Sequence, residues 1–177
     1  MQKPESIRPS VMPSSTVQQL LAYDEMLSAR IVDFGADGLP RAAAWLLARS
    51  GDSLFWLAVS GILIWKELSL GWTLLITVIV TAALTGIAKG IFRRQRPVEK
   101  WAISTDKYAF PSGHASRTGA VAVALSFAFP SWTLVWLVWA ILVALARVAL
   151  SRHYLSDVIA GMIFGILISL LLQLVIF

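Results

Sequence analysis

The chain contains two histidines, and each lies in a group of polar residues beside a long apolar stretch. His114 ends a Pro-Ser-Gly-His sequence, and His153 stands between Arg147 and Asp157. Imidazole can act as a nucleophile or exchange a proton near neutral pH. Guanidinium and ammonium groups bind the oxygens of phosphate. These residue types at the borders of apolar segments predict chemistry on the phosphate of a lipid.

The spacing of His153 and Asp157 predicts a carboxylate–imidazole pair. Residues four apart lie on the same side of a helix, separated by one turn. A carboxylate on one ring nitrogen fixes the tautomer and leaves the other nitrogen free to attack. One alternative is a pair that only closes a helix end at the headgroup layer. A metal site is another, but this ligand set is small and the surrounding cations would repel a metal.

The Pro-Ser-Gly-His sequence is typical of a helix start that binds an anion. Pro111 suits the first turn of a helix, and Ser112 could cap it. Gly113 lets the backbone approach an anion held by the free amides of the helix end. His114 would then point at the bound phosphate. The alternative is a capped helix start that carries an interfacial imidazole.

A third group of polar residues lies upstream of these two. Lys89 and Arg96 are seven residues apart, so a continuous helix would place both on one face until Pro97 ended it. Two such cations can bind phosphate oxygens. The alternative is a cluster that stops a membrane span, because Arg93 and Arg94 are close by.

Composition places most of the chain in lipid. Of the 177 residues, 58% are hydrophobic and 14% are charged, and the mean hydropathy is +0.74. This is too apolar for a protein surrounded by water. There is no cysteine, which excludes disulfides and cysteine metal sites. The net charge of +5 fits anionic lipids and anionic substrates better than nucleic acid, because the cations lie beside apolar segments.

The apolar stretches predict an all-α integral membrane bundle of about five transmembrane helices. These are expected near residues 42–66, 68–88, 112–129, 131–150 and 158–177. The first is interrupted by Ser50-Gly51, which could break it, and it places Asp52 near the headgroup layer. Residues 16–35 carry charges that would each cost about 2.5–3.5 kcal/mol inside the bilayer. They predict an amphipathic helix on the interface, so residues 1–40 form a polar lead with that helix and 41–177 the transmembrane domain.

This order of spans brings the three groups to one membrane surface, called the motif face below. The second span ends there, the third begins there, the fourth ends there and the fifth begins there. Every one of the 15 lysines and arginines except Lys66 falls on or near the motif face. Because cytoplasmic loops are enriched in such residues, the active site is expected to face the cytoplasm.

Taken in order, Lys-x6-Arg-Pro, Pro-Ser-Gly-His and Arg-x5-His-x3-Asp strongly resemble the type 2 phosphatidic acid phosphatase superfamily, the lipid phosphate phosphatases. The motifs extend from Lys89 to Asp157. The stretch from Asp106 to Arg117 is similar to polyisoprenoid (presqualene-type) diphosphate phosphatases. The third motif usually begins Ser-Arg in the family, and Ala146 stands here instead, so one hydroxyl contact to phosphate is expected to be missing.

The resemblance implies a mechanism through a phosphohistidine. His153 would be the nucleophile, Asp157 would orient it, and His114 would be the general acid. The residues implied in phosphate binding are Lys89, Arg96, Ser112, Gly113 and Arg147. Arg117 is expected to be either a second-phosphate contact or an anchor in the headgroup layer. Cations and backbone amides can stabilise phosphoryl transfer without a divalent ion, so neither metal nor cofactor is expected.

The expected function is therefore that of a metal-independent membrane phosphatase acting on lipid phosphates or diphosphates. Polyisoprenoid diphosphate is the expected substrate, from the local resemblance, the extra cation Arg117 and the short chain outside the membrane. The alternatives are a phosphatidate or phosphatidylglycerol phosphate phosphatase, a lipid phosphotransferase, and an inactive lipid-binding relative, against which the intact histidine pair argues. The expected partners are the lipid substrate and membrane lipids, without nucleic acid.

Overall fold

A computed structural model describes residues 15–35, 37–97 and 107–176, which form α-helices and one short 3-10 turn without any strand. The predicted all-α class is confirmed. The helices are α1 (Thr16–Phe34), α2 (Gly38–Ser50), α3 (Ser53–Trp65), α4 (Ser69–Phe92), α5 (Gly113–Ala128), α6 (Thr133–Ala149) and α7 (Leu155–Val175), with the 3-10 turn at Pro130–Trp132 before α6.

The centre of the bundle is α5, which packs against α4, α6 and α7. Glycines in α7 let the backbones of α5 and α7 come into direct contact. A Cβ added at Gly161 would lie 2.6 Å from the carbonyl oxygen of Ser112, and one at Gly165 would lie 1.7 Å from that of Ser116. Two glycines four residues apart are a common means of close helix packing in membranes. This contact fixes the start of α5 against the first turns of α7.

Three helical segments are long and apolar enough to cross a membrane: α4, α7, and α6 together with its preceding turn. A fourth candidate is the pair α2 and α3, which is bent by 48°. The predicted first span is thus broken after Ser50. The predicted third span, near residues 112–129, is present as α5, whose 16 residues are fewer than the about 20 that a lipid-facing span needs. The described residues therefore give three or four candidate spans, with α5 enclosed among them.

The helix predicted near the N-terminus is present as α1, and it contacts α6 and α7. The N–H of Leu155 donates to Ser28 Oγ at 2.8 Å, and the N–H of Ser156 donates to Asp24 Oδ1 at 2.9 Å. Side chains of α1 thereby satisfy amides that the first turn of α7 leaves without helical partners. The interfacial location of α1 and a domain boundary at residue 40 stay predictions, and residues 1–14 lie outside the described part.

Candidate active site

His114 lies in the first turn of α5, and its ring is bound by a carboxylate that sequence analysis did not assign to the site. Its Nε2 is 2.7 Å from Oδ1 of Asp52. Asp52 sits at the bend between α2 and α3. The bend fits closely between neighbours, because a Cβ added at Gly51 would lie 2.8 Å from a methyl of Val143 and 2.9 Å from a methyl of Thr118. The bend thus places Asp52 beside the first turn of α5, in contact with His114.

His153 and Asp157 are both buried and face each other, with Nδ1 and Oδ2 3.7 Å apart. The expected helical turn between them is wrong, because α7 begins at Leu155 and His153 precedes it. The separation is longer than a hydrogen bond. Oδ2 of Asp157 instead accepts from the N–H of Tyr154 at 2.9 Å. The first turn of α7 thus fixes the carboxylate of Asp157. A small movement of the His153 ring would bring Nδ1 within hydrogen-bond distance of Oδ2.

Arg94 joins this carboxylate to α1. Its Nη1 donates to Oδ1 of Asp157 at 2.8 Å and to the Ser156 hydroxyl at 2.6 Å, and its Nη2 donates to Oδ2 of Asp24 at 2.7 Å. The Ser156 hydroxyl also donates to Asp24. Burial lowers the pKa of Arg94, but the hydrogen bond to Asp24 and the charge of Asp157 raise that pKa by more. A permanent positive charge therefore stands behind Asp157.

Sequence analysis assigned Arg94 only to a possible stop-transfer cluster, and it did not connect Asp24 with the site. Polar residues in a helix that otherwise suits the interface were the one available signal. Neither the partner nor the distance along the chain could be inferred from it, because 70 residues separate the two.

Lys89 and Arg96 do not share a helix face as expected. The helix α4 ends at Phe92, and Arg93 adopts a left-handed backbone conformation with φ of 49°. Arg96 consequently reaches the site from the segment beyond α4. It is 7% exposed, and its Nη1 donates to the carbonyl oxygen of Arg152 at 3.1 Å, next to His153.

Lys89 remains on α4, in its last turn, and lies beside the start of α5. Its Nζ donates to the carbonyl oxygen of Tyr108 at 3.0 Å. A Cβ added at Gly113 would lie 3.9 Å from Cε of Lys89. The first motif therefore lies beside the second.

Arg147 lies in the last turn of α6, near enough to Asp52 and His114 for their charges to interact. Its carbonyl accepts from the N–H of Arg152 at 3.0 Å, which turns the chain back toward α7.

Ala146, at the position where the resembling family usually has serine, is buried against Ala44 and Ala48 of α2. A side chain at residue 146 thus faces a helix interface.

Ser112 occupies the cap position of α5, but its hydroxyl makes no cap hydrogen bond. Its N–H donates to the carbonyl oxygen of Asp157 at 2.9 Å. Its Oγ is buried and has no hydrogen-bond partner among residues 15–35, 37–97 and 107–176. Burying a hydroxyl in this way costs about 1–3 kcal/mol. An anion bound at the start of α5 would offset that cost.

Arg117 is 9% exposed, and its Nη1 donates to the carbonyl oxygen of Gly51 at 3.1 Å. This burial contradicts the alternative of an anchor in the headgroup layer. The alternative of a second-phosphate contact stays a prediction. The observed contact is structural: Arg117 holds the backbone of the bend that carries Asp52.

The three motif groups meet at one end of the bundle. Lys89 of the first lies beside Gly113 of the second, and the amide of Ser112 joins the second to the third. The first also touches the third through Arg96. Two imidazoles, each facing a carboxylate, and three cations are gathered at the start of a central helix. Fold and site together define a helical membrane protein with a cluster of cations and imidazoles at one end of the bundle.

The chain belongs to the PAP2 superfamily. Residues 70–177, more than half of the chain, match the sequence profile of that family. The match includes all three motifs and begins one residue into α4. The predicted family is thereby confirmed.

Several curated proteins are similar to the chain. A probable lipid phosphate phosphatase beta of Arabidopsis thaliana is 32% identical over 196 residues, covering 89% of this chain and 92% of that protein. An undecaprenyl-diphosphatase of Sulfolobus acidocaldarius is 32% identical over 134 residues, covering 71% of this chain and 65% of that protein. A lipid A 1-phosphatase of Rhizobium johnstonii is 33% identical over 116 residues, and the match covers 60% of this chain and about half, 48%, of that protein.

Two solved structures share the fold. The PAP2-type phosphatidylglycerolphosphate phosphatase of Bacillus subtilis superposes with a TM-score of 0.71 at 22% identity, over 90% of this chain and 86% of that one. Aquifex aeolicus LpxE superposes with a TM-score of 0.70 at 20% identity, over 85% and 94%. The predicted helical membrane fold is thereby confirmed.

Proposed function

We propose that the protein is a phosphatase that hydrolyses lipid phosphates or diphosphates, and that polyisoprenoid diphosphates are its substrates. The observation that carries the proposal is the meeting of the three motif groups at the start of α5. That end of the bundle offers helix amides, the buried Ser112 hydroxyl and the cations Lys89, Arg96 and Arg147 to one anion. Phosphoryl transfer needs mainly such positioning and charge stabilisation.

In the proposed reaction, one nitrogen of His153 attacks phosphorus and the bond to the leaving oxygen breaks. Asp157 faces Nδ1 of that ring, so Nε2 is the attacking atom. His114 gives a proton to the leaving oxygen. Water then attacks the phosphohistidine, His114 takes up its proton, and inorganic phosphate leaves with His153 restored.

The substrate class is supported by the local resemblance around His114 and by the similarity to an undecaprenyl-diphosphatase. We expect phosphate release from isoprenoid diphosphates to exceed release from phosphatidate or phosphatidylglycerol phosphate by about tenfold in kcat/KM. The test is a panel of these lipids in mixed micelles. A clear preference for phosphatidate would overturn the substrate class, and transfer of phosphate to an added alcohol would indicate a phosphotransferase.

The same panel, run with EDTA, tests metal independence. We expect the rate in EDTA to equal the rate without it, because the cations of the site supply the charge. Activity that disappeared in EDTA and returned with magnesium would contradict the proposed mechanism.

We further propose that the motif face is cytoplasmic, from the distribution of lysine and arginine. Because the chain has no cysteine, single cysteines report on topology without background. Lys107→Cys, at an exposed position beside the site, should resist an impermeant thiol reagent in intact cells. Lys66→Cys, exposed between α3 and α4 at the other end of the bundle, should be labelled readily. The reverse pattern would place the site outside.

A further inference from the structure

The bend between α2 and α3 is held more firmly than a simple break in a helix requires. Trp56 Nε1 donates to the carbonyl oxygen of Ser50 at 2.9 Å, and Trp139 Nε1 donates to the Ser50 hydroxyl at 2.9 Å. Arg117 donates to the carbonyl oxygen of Gly51. These donors come from α3, α6 and α5 and bind the two residues that precede Asp52. The carboxylate of Asp52 is therefore presented to His114 on a fixed backbone.

The charges around His114 determine how much the carboxylate of Asp52 affects the charge on the ring. Arg147 on α6 and Arg117 on α5 both oppose a positive charge on the ring. Other charged or titratable groups on elements that flank α5 or the bend are Lys89 on α4, Arg49 on α2, and His153 and Asp157 at the start of α7. Asp52 is the carboxylate in hydrogen-bond contact with the ring, and its attraction opposes the effect of the two arginines.

We propose that Asp52 is a positioning residue that holds His114 through Nε2, so that the proton given to the leaving oxygen and later taken from water passes through Nδ1. The inference rests on the proposed function and deepens it. A carboxylate bound to one ring nitrogen selects the tautomer and stabilises the imidazolium form. Asp52 thus acts on the acid step through His114 and has no contact with the substrate.

The kinetic test compares Asp52→Asn with Asp37→Asn, an exposed aspartate that precedes α2 and makes no side-chain cap hydrogen bond. With an isoprenoid diphosphate we expect Asp52→Asn to lose about 10²-fold in kcat with little change in KM. With 4-nitrophenyl phosphate the burst of nitrophenol should slow by less than about fivefold, because that leaving group departs without a proton. Asp37→Asn should match the unmodified enzyme with both substrates.

Equal losses with both substrates would overturn the proposal, because a merely structural role does not depend on the leaving group. Asp52→Asn should also add little to His114→Ala, since both changes remove the same proton transfer. Additive losses in the double variant would likewise contradict an action through His114.

The ring itself can be observed without any reaction. Only two histidines are present, so 15N-histidine labelling gives two imidazoles, which His114→Ala and His153→Ala assign. We expect Nε2 of His114 to carry the proton in the neutral ring, and Asp52→Asn to shift its two nitrogen resonances while those of His153 stay unchanged. Unchanged His114 resonances would overturn the proposal. An unmodified protein that released phosphate from no substrate would instead refute the proposed function, and the spectrum would still decide the Asp52 contact.

Discussion

Replacing His153 by alanine is expected to abolish phosphate release, with a loss of at least about 10⁴-fold in kcat. The proposed covalent step uses the ring of His153 as its nucleophile, which is buried and faces Asp157. A 32P-labelled substrate should give the unmodified enzyme a phosphoenzyme that is stable in base and lost in acid, as a phosphohistidine is. No such species should form in His153→Ala.

The matched comparison is His114→Ala, which removes the other imidazole and leaves the nucleophile in place. The phosphoenzyme of this variant should still form. With 4-nitrophenyl phosphate, it should form at a rate within about tenfold of that of the unmodified enzyme, because that leaving group needs no acid. Hydrolysis of the intermediate should be slow, so the labelled protein should accumulate. A phosphoenzyme trapped in His153→Ala would remove His153 from its proposed role.

Gly165→Ala is expected to destabilise the fold more than any other substitution proposed for this protein. Its Cβ would lie 1.7 Å from the backbone carbonyl oxygen of Ser116, so α5 and α7 must move apart. Overpacking of a core commonly costs about 1–3 kcal/mol, and a clash with backbone should exceed that range. We expect Tm in detergent to fall by about 10 °C or more. Activity should fall as well, because the same contact holds the start of α5.

Gly86→Ala is the control for this change. Gly86 lies in α4, and a Cβ added there meets nothing within 4 Å. Alanine favours a helix over glycine by roughly 0.5–1 kcal/mol, so Tm should stay the same or rise slightly. Equal destabilisation by the two variants would mean that the close approach of α5 and α7 is not the cause.

The sequence predicted the helical membrane fold because long apolar runs have few other solutions in lipid. The motif groups were predicted to share one face, and the structure brings them into contact there. Length and composition alone give three or four candidate spans, because α5, which matches the predicted third span to within one residue at each end, has only 16 residues. The shared helix face of Lys89 and Arg96 was wrong because α4 ends at Phe92.

The carboxylates Asp24 and Asp52 could not be assigned from the sequence. Each is separated from its partner by more than 60 residues, as in the pair of Asp52 with His114. Spacing rules apply within one helix, whereas these contacts depend on how α1 and the bend pack against other elements. The contact of Ala146 with α2 likewise depends on packing between helices and could not be inferred from the sequence.

The α1 side chains that bind the start of α7, Asp24 and Ser28, and the bend that carries Asp52 all lie before residue 70, where the match to the family profile begins. The family profile therefore covers the three motifs but not Asp24 and Asp52, the carboxylates that contact Arg94 and His114. Every motif can be retained while the upstream helices change the carboxylates that support them. Substitutions before residue 70 are therefore expected to change the surroundings of both histidines without altering a motif residue.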